Sequence, residues 1–245
     1  MQIEINVPTS LNEITLEQYQ KFLKASEETP EGSFLDAKMI EIFCGIPLSD
    51  SYKLKMSSVQ AIVDILTDML NEKPAHIDKF SLDGVQYGFI PDLDEMSLGE
   101  YVDLDGNASD WQKMHVAMNV LYRPVITSKK GKYNIKEYTA DDPEKMKDMP
   151  LGVALGSLFF FLQFRTGVIE AYDSLFQQSS RDGDYSRAAN FGEKWGWYSS
   201  IFSLAGGDVG KFEDITKLKI HQCFTFLSFT KEKAEIEAQQ IKRKF

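Results

Sequence analysis

Three histidines, His76, His115 and His221, are the side chains best suited to acid–base or metal chemistry, and they lie scattered along 245 residues. No H-E-x-x-H, C-x-x-C or mixed His/Cys cluster accompanies them, so their spacing defines no transition-metal site. Carboxylates pair at Asp141-Asp142 and Asp92-x-Asp94, as in hydrolases, but acidic loops of this kind are common. Asp103-Leu-Asp105-Gly106-Asn107 has the composition of a calcium loop. Its glycine falls too early, however, and no glutamate follows at the position that would close the cage. The expectation there is an exposed turn that caps the next helix through Ser109 or Asp110. Phosphate-binding glycine loops and the G-x-S-x-G elbow are also absent from the sequence. The reading is a protein with no catalytic residue, no metal and no cofactor.

Composition points the same way. Lys plus Arg number 27 and Asp plus Glu 37, a formal charge of −10. A general nucleic-acid binder would present basic surface instead, which leaves room only for a local basic patch. Apolar residues are 43% and charged residues 26%, enough to bury a core at this length. Cys44 and Cys223 are far apart, in apolar contexts that suit reduced, buried thiols. The opening MQIEINVPTS lacks the basic and apolar regions of a signal peptide. The longest apolar run, 151–162, falls short of the roughly 20 residues of a membrane span.

The elements that would hold such a core are legible from periodicity. Ile3, Ile5 and Val7 alternate with polar residues, predicting a short strand that Pro8 ends. Thr15 with Gln18 forms a capping box for a helix carrying Leu16, Tyr19, Phe22 and Leu23. Helices over 35–44, ended by Gly45, and over 58–71 follow from their apolar stripes. Asp83-Gly84 predicts one hairpin turn and Lys129-Lys130-Gly131 a second, with strands over 125–127 and 133–138. If the hairpins pair, a small antiparallel sheet spans about 80–138.

Between and after the hairpins the pattern is helical. Helices are expected over 98–104 and 110–122, and 140–148 reads as an acidic surface loop. Pro150 occupies the first position of a long apolar helix reaching about Phe176. A polar loop over 179–184, a helix over 187–204 broken by Gly206-Gly207, and a final helix from Ile215 complete the chain. The predicted class is α+β, predominantly α-helical, with two small β-hairpins and a long C-terminal helix. One domain is expected over 1–230, with 231–245 projecting as a helix.

Two features suggest contact surface. The aromatic segment with Phe191, Trp195, Trp197, Tyr198 and Phe202 is either core or a protein–protein hot spot. The charged half of the last helix carries a thin stripe of Ala234, Ile236, Ala238 and Ile241. It is either a solvated tail or a helix packed on a neighbouring subunit. Trp195, Trp197, Phe229, Ile236, Ile241 and Phe245 are the candidate subunit-contact residues. Gly152 and Gly156 form a G-x-x-x-G that admits a close neighbour, within the fold or across subunits.

Several segments together resemble a known family. They are Leu11-Asn-Glu-Ile-Thr-Leu-Glu-Gln-Tyr19, Val120-Leu-Tyr-Arg-Pro-Val125, Tyr133-Asn-Ile-Lys-Glu-Tyr138, Met149-Pro-Leu-Gly-Val-Ala-Leu-Gly-Ser-Leu-Phe-Phe-Phe161, and Phe226-Leu-Ser-Phe-Thr-Lys-Glu-Lys-Ala-Glu-Ile-Glu-Ala238. In this order they resemble proteins of crAss-like and related tailed bacteriophages, described as portal–tail ring proteins or tail assembly chaperones. The resemblance implies a structural subunit of the virion, in a ring of the neck or tail barrel below the portal. The alternative it allows is a tail assembly chaperone absent from the mature virion. Implied partners are copies of the same chain, about twelve in a ring matched to the portal, with portal and other neck or tail proteins. No sequence-specific nucleic-acid binding and no membrane association are expected. The protein would be made in the bacterial host cytoplasm and end in the virion.

Overall fold

The computed structural model describes residues 5–176 and 187–244, with backbone alone over 187–194 and 242–244. In chain order the elements are α1 (Leu16–Glu28), α2 (Ser33–Cys44), α3 (Leu48–Ser51), α4 (Met56–Leu70), β1 (Lys79–Leu82) and β2 (Val85–Phe89). Then come α5 (Leu98–Asn107), α6 (Met114–Leu121), β3 (Tyr122–Lys129), β4 (Lys132–Ile135) and α7 (Leu151–Ala171). The last are α8 (Asp173–Phe176), α9 (Arg187–Leu204), α10 (Phe212–Thr216) and α11 (Ile220–Lys244). The fold is thus mostly helical α+β with one four-stranded antiparallel sheet and a long C-terminal helix.

The expected division at residue 230 is not where the chain divides. It forms two compact units, Met1–Pro91 with Asn107–Phe160, and Asp92–Gly106 with Phe161–Phe245. Helix α11 runs unbroken through 230, so the apolar and charged halves are one element.

In the first unit, the Thr15 hydroxyl accepts from Gln18 N–H (3.2 Å) and the Gln18 amide oxygen accepts from Thr15 N–H (2.8 Å). This reciprocal cap satisfies two donors that a helix start leaves open. The Gln18 amide nitrogen also donates to the Ile42 carbonyl (2.7 Å), tying α1 to α2. Helix α2 stops at Gly45, whose φ of 69° a side chain would resist. Helix α4 buries Ile62, Leu66 and Met69 along one stripe.

The sheet order is β1-β2-β3-β4, so the two hairpins do pair. Each turns on two residues with positive φ, Asp83-Gly84 and Lys130-Gly131, the geometry matched to strand twist. Pro124 sits within β3 opposite Tyr87, while the preceding helix already ends at Leu121.

In the first unit the structure departs from expectation at several places. Residues 5–9 form no strand, because no sheet edge pairs with them; Ile3 lies outside the described residues. Strand β4 ends at Ile135 rather than 138. Within the expected acidic loop over 140–148, residues Pro143–Asp148 form a 3₁₀ helix that buries Met146, and Met149 after it is buried too. These two methionines outweigh the charges around them, which stay at the surface.

Helix α7 starts one residue after Pro150, whose carbonyl accepts from Val153 and Ala154 N–H. Leu16 N–H donates to the Met149 carbonyl and Leu151 N–H to the Ile14 carbonyl, both at 2.9 Å. At 21 residues, α7 is long and apolar enough to cross a membrane by length and composition, contrary to expectation. It nevertheless buries Leu151, Val153, Ala154, Leu158 and Phe161 among protein side chains.

The second unit is built around α5 and α11. Leu98 N–H donates to the Leu218 carbonyl (2.7 Å) and Ile220 N–H to the Met96 carbonyl (3.0 Å). Ser97 and Glu100 form a further cap: the buried Glu100 carboxylate accepts from Ser97 N–H (2.7 Å) and its hydroxyl (2.8 Å). Helix α9 is interrupted at Gly196 (φ 38°, ψ −122°), and Gly206 and Gly207 with positive φ end it. The last helix begins at Ile220 rather than 215, after the short α10.

Candidate interaction surface

The aromatic segment is divided between core and surface, and the division falls within one turn of α9. Trp197 stacks on Phe224 of α11 (centroids 5.8 Å, planes 18° apart). Tyr101 of α5 meets both rings edge-on at 5.6 and 5.4 Å, and Phe176 approaches Phe224 at 5.7 Å. The Trp197 indole N–H donates to the Asp105 carboxylate (3.0 Å), satisfying the polar end of a ring inside an apolar cluster. The other Asp105 oxygen accepts from Arg165 Nε at 2.6 Å. Asp105 is therefore a fixed partner inside α5, and the expected exposed turn there is overturned. Asp110 does cap the turn that begins at Trp111, accepting from Gln112 N–H.

A cavity of about 660 Å3 opens beside this cluster. Trp197, Phe176 and Phe224 form its apolar wall; Asp105, Arg165 and Lys231 its charged side. Lys231 is anchored, since its ammonium donates to the Ser174 carbonyl. Burial pushes the Tyr101 hydroxyl up to about 12, with the Asp105 charge adding to it. Three serines of α9, Ser199, Ser200 and Ser203, also line the cavity.

Each histidine serves a local contact. His221 Nε2 meets Asp94 (2.9 Å) and its Nδ1 meets the Tyr172 hydroxyl (3.0 Å), linking α11 to two other segments. His76 stacks on Phe160 (4.7 Å) and meets Asp78 at 3.2 Å. His115 lies between Gln20 and Glu144 (3.4 and 3.2 Å). Burial lowers the pKa of both His76 and His115, since a dry site disfavours the charged ring. Among the described residues no three His, Cys, Asp or Glu side chains gather as metal ligands.

The structure places the expected contact residues unequally. Trp197 is half-buried, its ring stacked on Phe224 of its own unit. Trp195 is 40% exposed, with its ring against Tyr198. Phe229, Ile236 and Ile241 are 62%, 56% and 59% exposed along α11, and Phe226 on the same side is 49% exposed. Phe245 lies outside the described residues, as does the expected loop over 179–184, and nothing is described of the Phe191 side chain. Gly152 faces the 3₁₀ turn at Leu11–Glu13 and Gly156 the loop at Ala75 and His76, neither of them an α-helix. A methyl group at Gly152 would sit 2.5 Å from the Asn12 side chain, and one at Gly156 would press on the Ala75 carbonyl.

The Asp105 site was missed by sequence reasoning, because its partners Arg165 and Trp197 lie 60 and 92 residues away. The Ser97-x-x-Glu100 cap did carry a local signal, the same pattern as Thr15-x-x-Gln18. Compared with known proteins, the chain matches no family model, no curated protein and no solved structure.

Proposed function

We propose that the protein is a structural subunit of a tailed-phage virion, assembling with copies of itself into a ring of the neck or tail barrel below the portal. One observation carries this reading: the apolar side chains that α11 leaves exposed at Phe226, Phe229, Ile236 and Ile241. A solvated helix would place polar groups there. Covering four such half-exposed side chains contributes roughly 3–6 kcal/mol on association, before the costs of ordering. The resemblance of 11–19, 120–125 and 149–161 to phage ring and assembly proteins supports the same reading. The aromatic cavity offers packing and an ion pair, which supports a binding role.

Two measurements test it. Quantitative mass spectrometry of purified virions is expected to find about twelve copies per portal, the count of a ring matched to it. Absence from virions with abundance in infected cells would sink the ring and leave an assembly chaperone. A chain carrying I236E and I241E should keep its circular dichroism yet fail to assemble; unchanged assembly would show that α11 is not the contact.

A further inference from the structure

The β3–β4 hairpin is a basic surface on an acidic protein. Lys129, Lys130, Lys132 and Lys136 are all exposed on it, and none forms an ion pair among the described residues. Lys129 and Lys132 are direct cross-strand partners. Like charges opposite one another weaken a strand pair. Ile126, where the register of β3 shifts, is 64% exposed beside them. The rest of the chain then carries a net charge of −14, since four of the 27 cations sit here and the whole is −10.

Helix α4 presents the opposite pattern. Asp64 and Asp68 stand four residues apart and exposed, with Glu72 just past the helix end. Their repulsion costs the helix, as does the absence of any base in its last turn, where the backbone dipole favours a cation. Asp64 accepts a hydrogen bond from Gln60, and none of the three acids is in an ion pair among the described residues. Ile65, beside Asp64 and Asp68, is 42% exposed. Each surface is thus charged against its own fold, and each carries one exposed isoleucine.

We propose that the two surfaces meet between copies of this chain: the β3–β4 hairpin of one copy docks on the α4 face of the next. The contact joins two different patches, so it is head-to-tail and propagates to a closed ring where the rotation permits. The pairing rests on the ring reading and adds a second contact to the one at α11. Complementary charge steers the encounter and fixes which patch meets which. Exposed pairs of this kind are screened by salt over about 8–10 Å, so assembly weakens as salt rises.

The test is charge exchange in the full chain, with self-association read by sedimentation velocity. One variant carries K129E, K130E, K132E and K136E; a second carries D64K, D68K and E72K. Each alone should raise the apparent dissociation constant at least tenfold while circular dichroism stays native. Mixed in equal amounts they should associate again, because each reversed patch then finds its opposite on the other variant. Wild-type assembly that both variants retain would overturn the hairpin contact and leave the ring reading standing. A wild-type chain that stays monomeric at high concentration and low salt would overturn both. Loss of association without recovery on mixing overturns the proposed pairing. So does a hairpin variant that assembles normally but loses binding to a labelled DNA duplex, which would assign the lysines to phosphate.

Discussion

Replacing Gly156 by alanine puts the packing of α7 to a direct test. Gly156 lies in the buried first half of α7, facing the backbone at Ala75 and His76. An added methyl would stand 2.9 Å from the Ala75 carbonyl carbon, and closer still to its oxygen. Unstrained carbon pairs rest near 3.5–4.0 Å, so the loop must retreat by roughly 1 Å. Overpacking of that kind costs about 1–3 kcal/mol. Alanine recovers about 0.5–1 kcal/mol of helix propensity, leaving a net loss of up to about 2.5 kcal/mol. Two other glycines of the same helix calibrate the result. At Gly152 the closest atom is the end of the Asn12 side chain, which can swing away, so alanine there should be near neutral. At Gly167 nothing lies within 4 Å, so alanine should stabilise by about 0.5–1 kcal/mol. Urea unfolding followed by circular dichroism ranks the three. G156A as stable as G167A would refute the close approach of the loop to α7.

Asp105→Ala should destabilise by about 1–3 kcal/mol, because it strands the Arg165 and Trp197 donors together, and tryptophan fluorescence should shift red. Unchanged emission would contradict the Trp197 hydrogen bond. Stability should fall as pH drops below the ordinary histidine range near 6.5: His76 and His115 have lowered pKa values when folded, so the unfolded chain binds more protons there. Denaturation midpoints across pH 7 to 5 should flatten in H76Q, and a profile identical to wild type would show that His76 is not a source of the slope. Iodoacetamide at pH 8 should label half-buried Cys44 well before Cys223, whose thiol is buried and pushed up to about 11. Equal labelling of the native protein would contradict that burial.

What was legible in the sequence was local. The Thr15–Gln18 cap, the glycine stop at Gly45 and both two-residue turns are written within four residues of one another. Whether the hairpins pair was left open by the sequence, and the structure joins them through β2 and β3. What failed was distant. The strand at 3–7 alternates correctly, yet alternation does not provide a partner edge. The 143–148 stretch reads as solvated because its charges outnumber Met146 and Met149, whose burial depends on the elements packed over them. The same applies to the aromatic segment: Trp195 and Trp197 are two residues apart, and only the kink at Gly196 and the reach to Asp105 separate surface from core. The candidate contact residues along α11 stood out because a charged helix has little other use for Ile236 and Ile241.

The second unit is discontinuous in sequence, with Asp92–Gly106 separated from the remainder by more than fifty residues of the first. On the ribosome this has a cost in time. Leu98, Tyr101 and Leu104 are fully buried in the finished chain, yet Tyr101 waits for Phe224 to emerge before its ring is covered. At roughly 5–20 residues per second that delay is about 6–25 s. Through that interval a short amphipathic helix hangs from a nascent chain whose first unit closes only once Phe160 has emerged. No single cut releases either unit alone: a protease acting between Pro91 and Asp92 would leave the second unit joined to Asn107–Phe160 of the first.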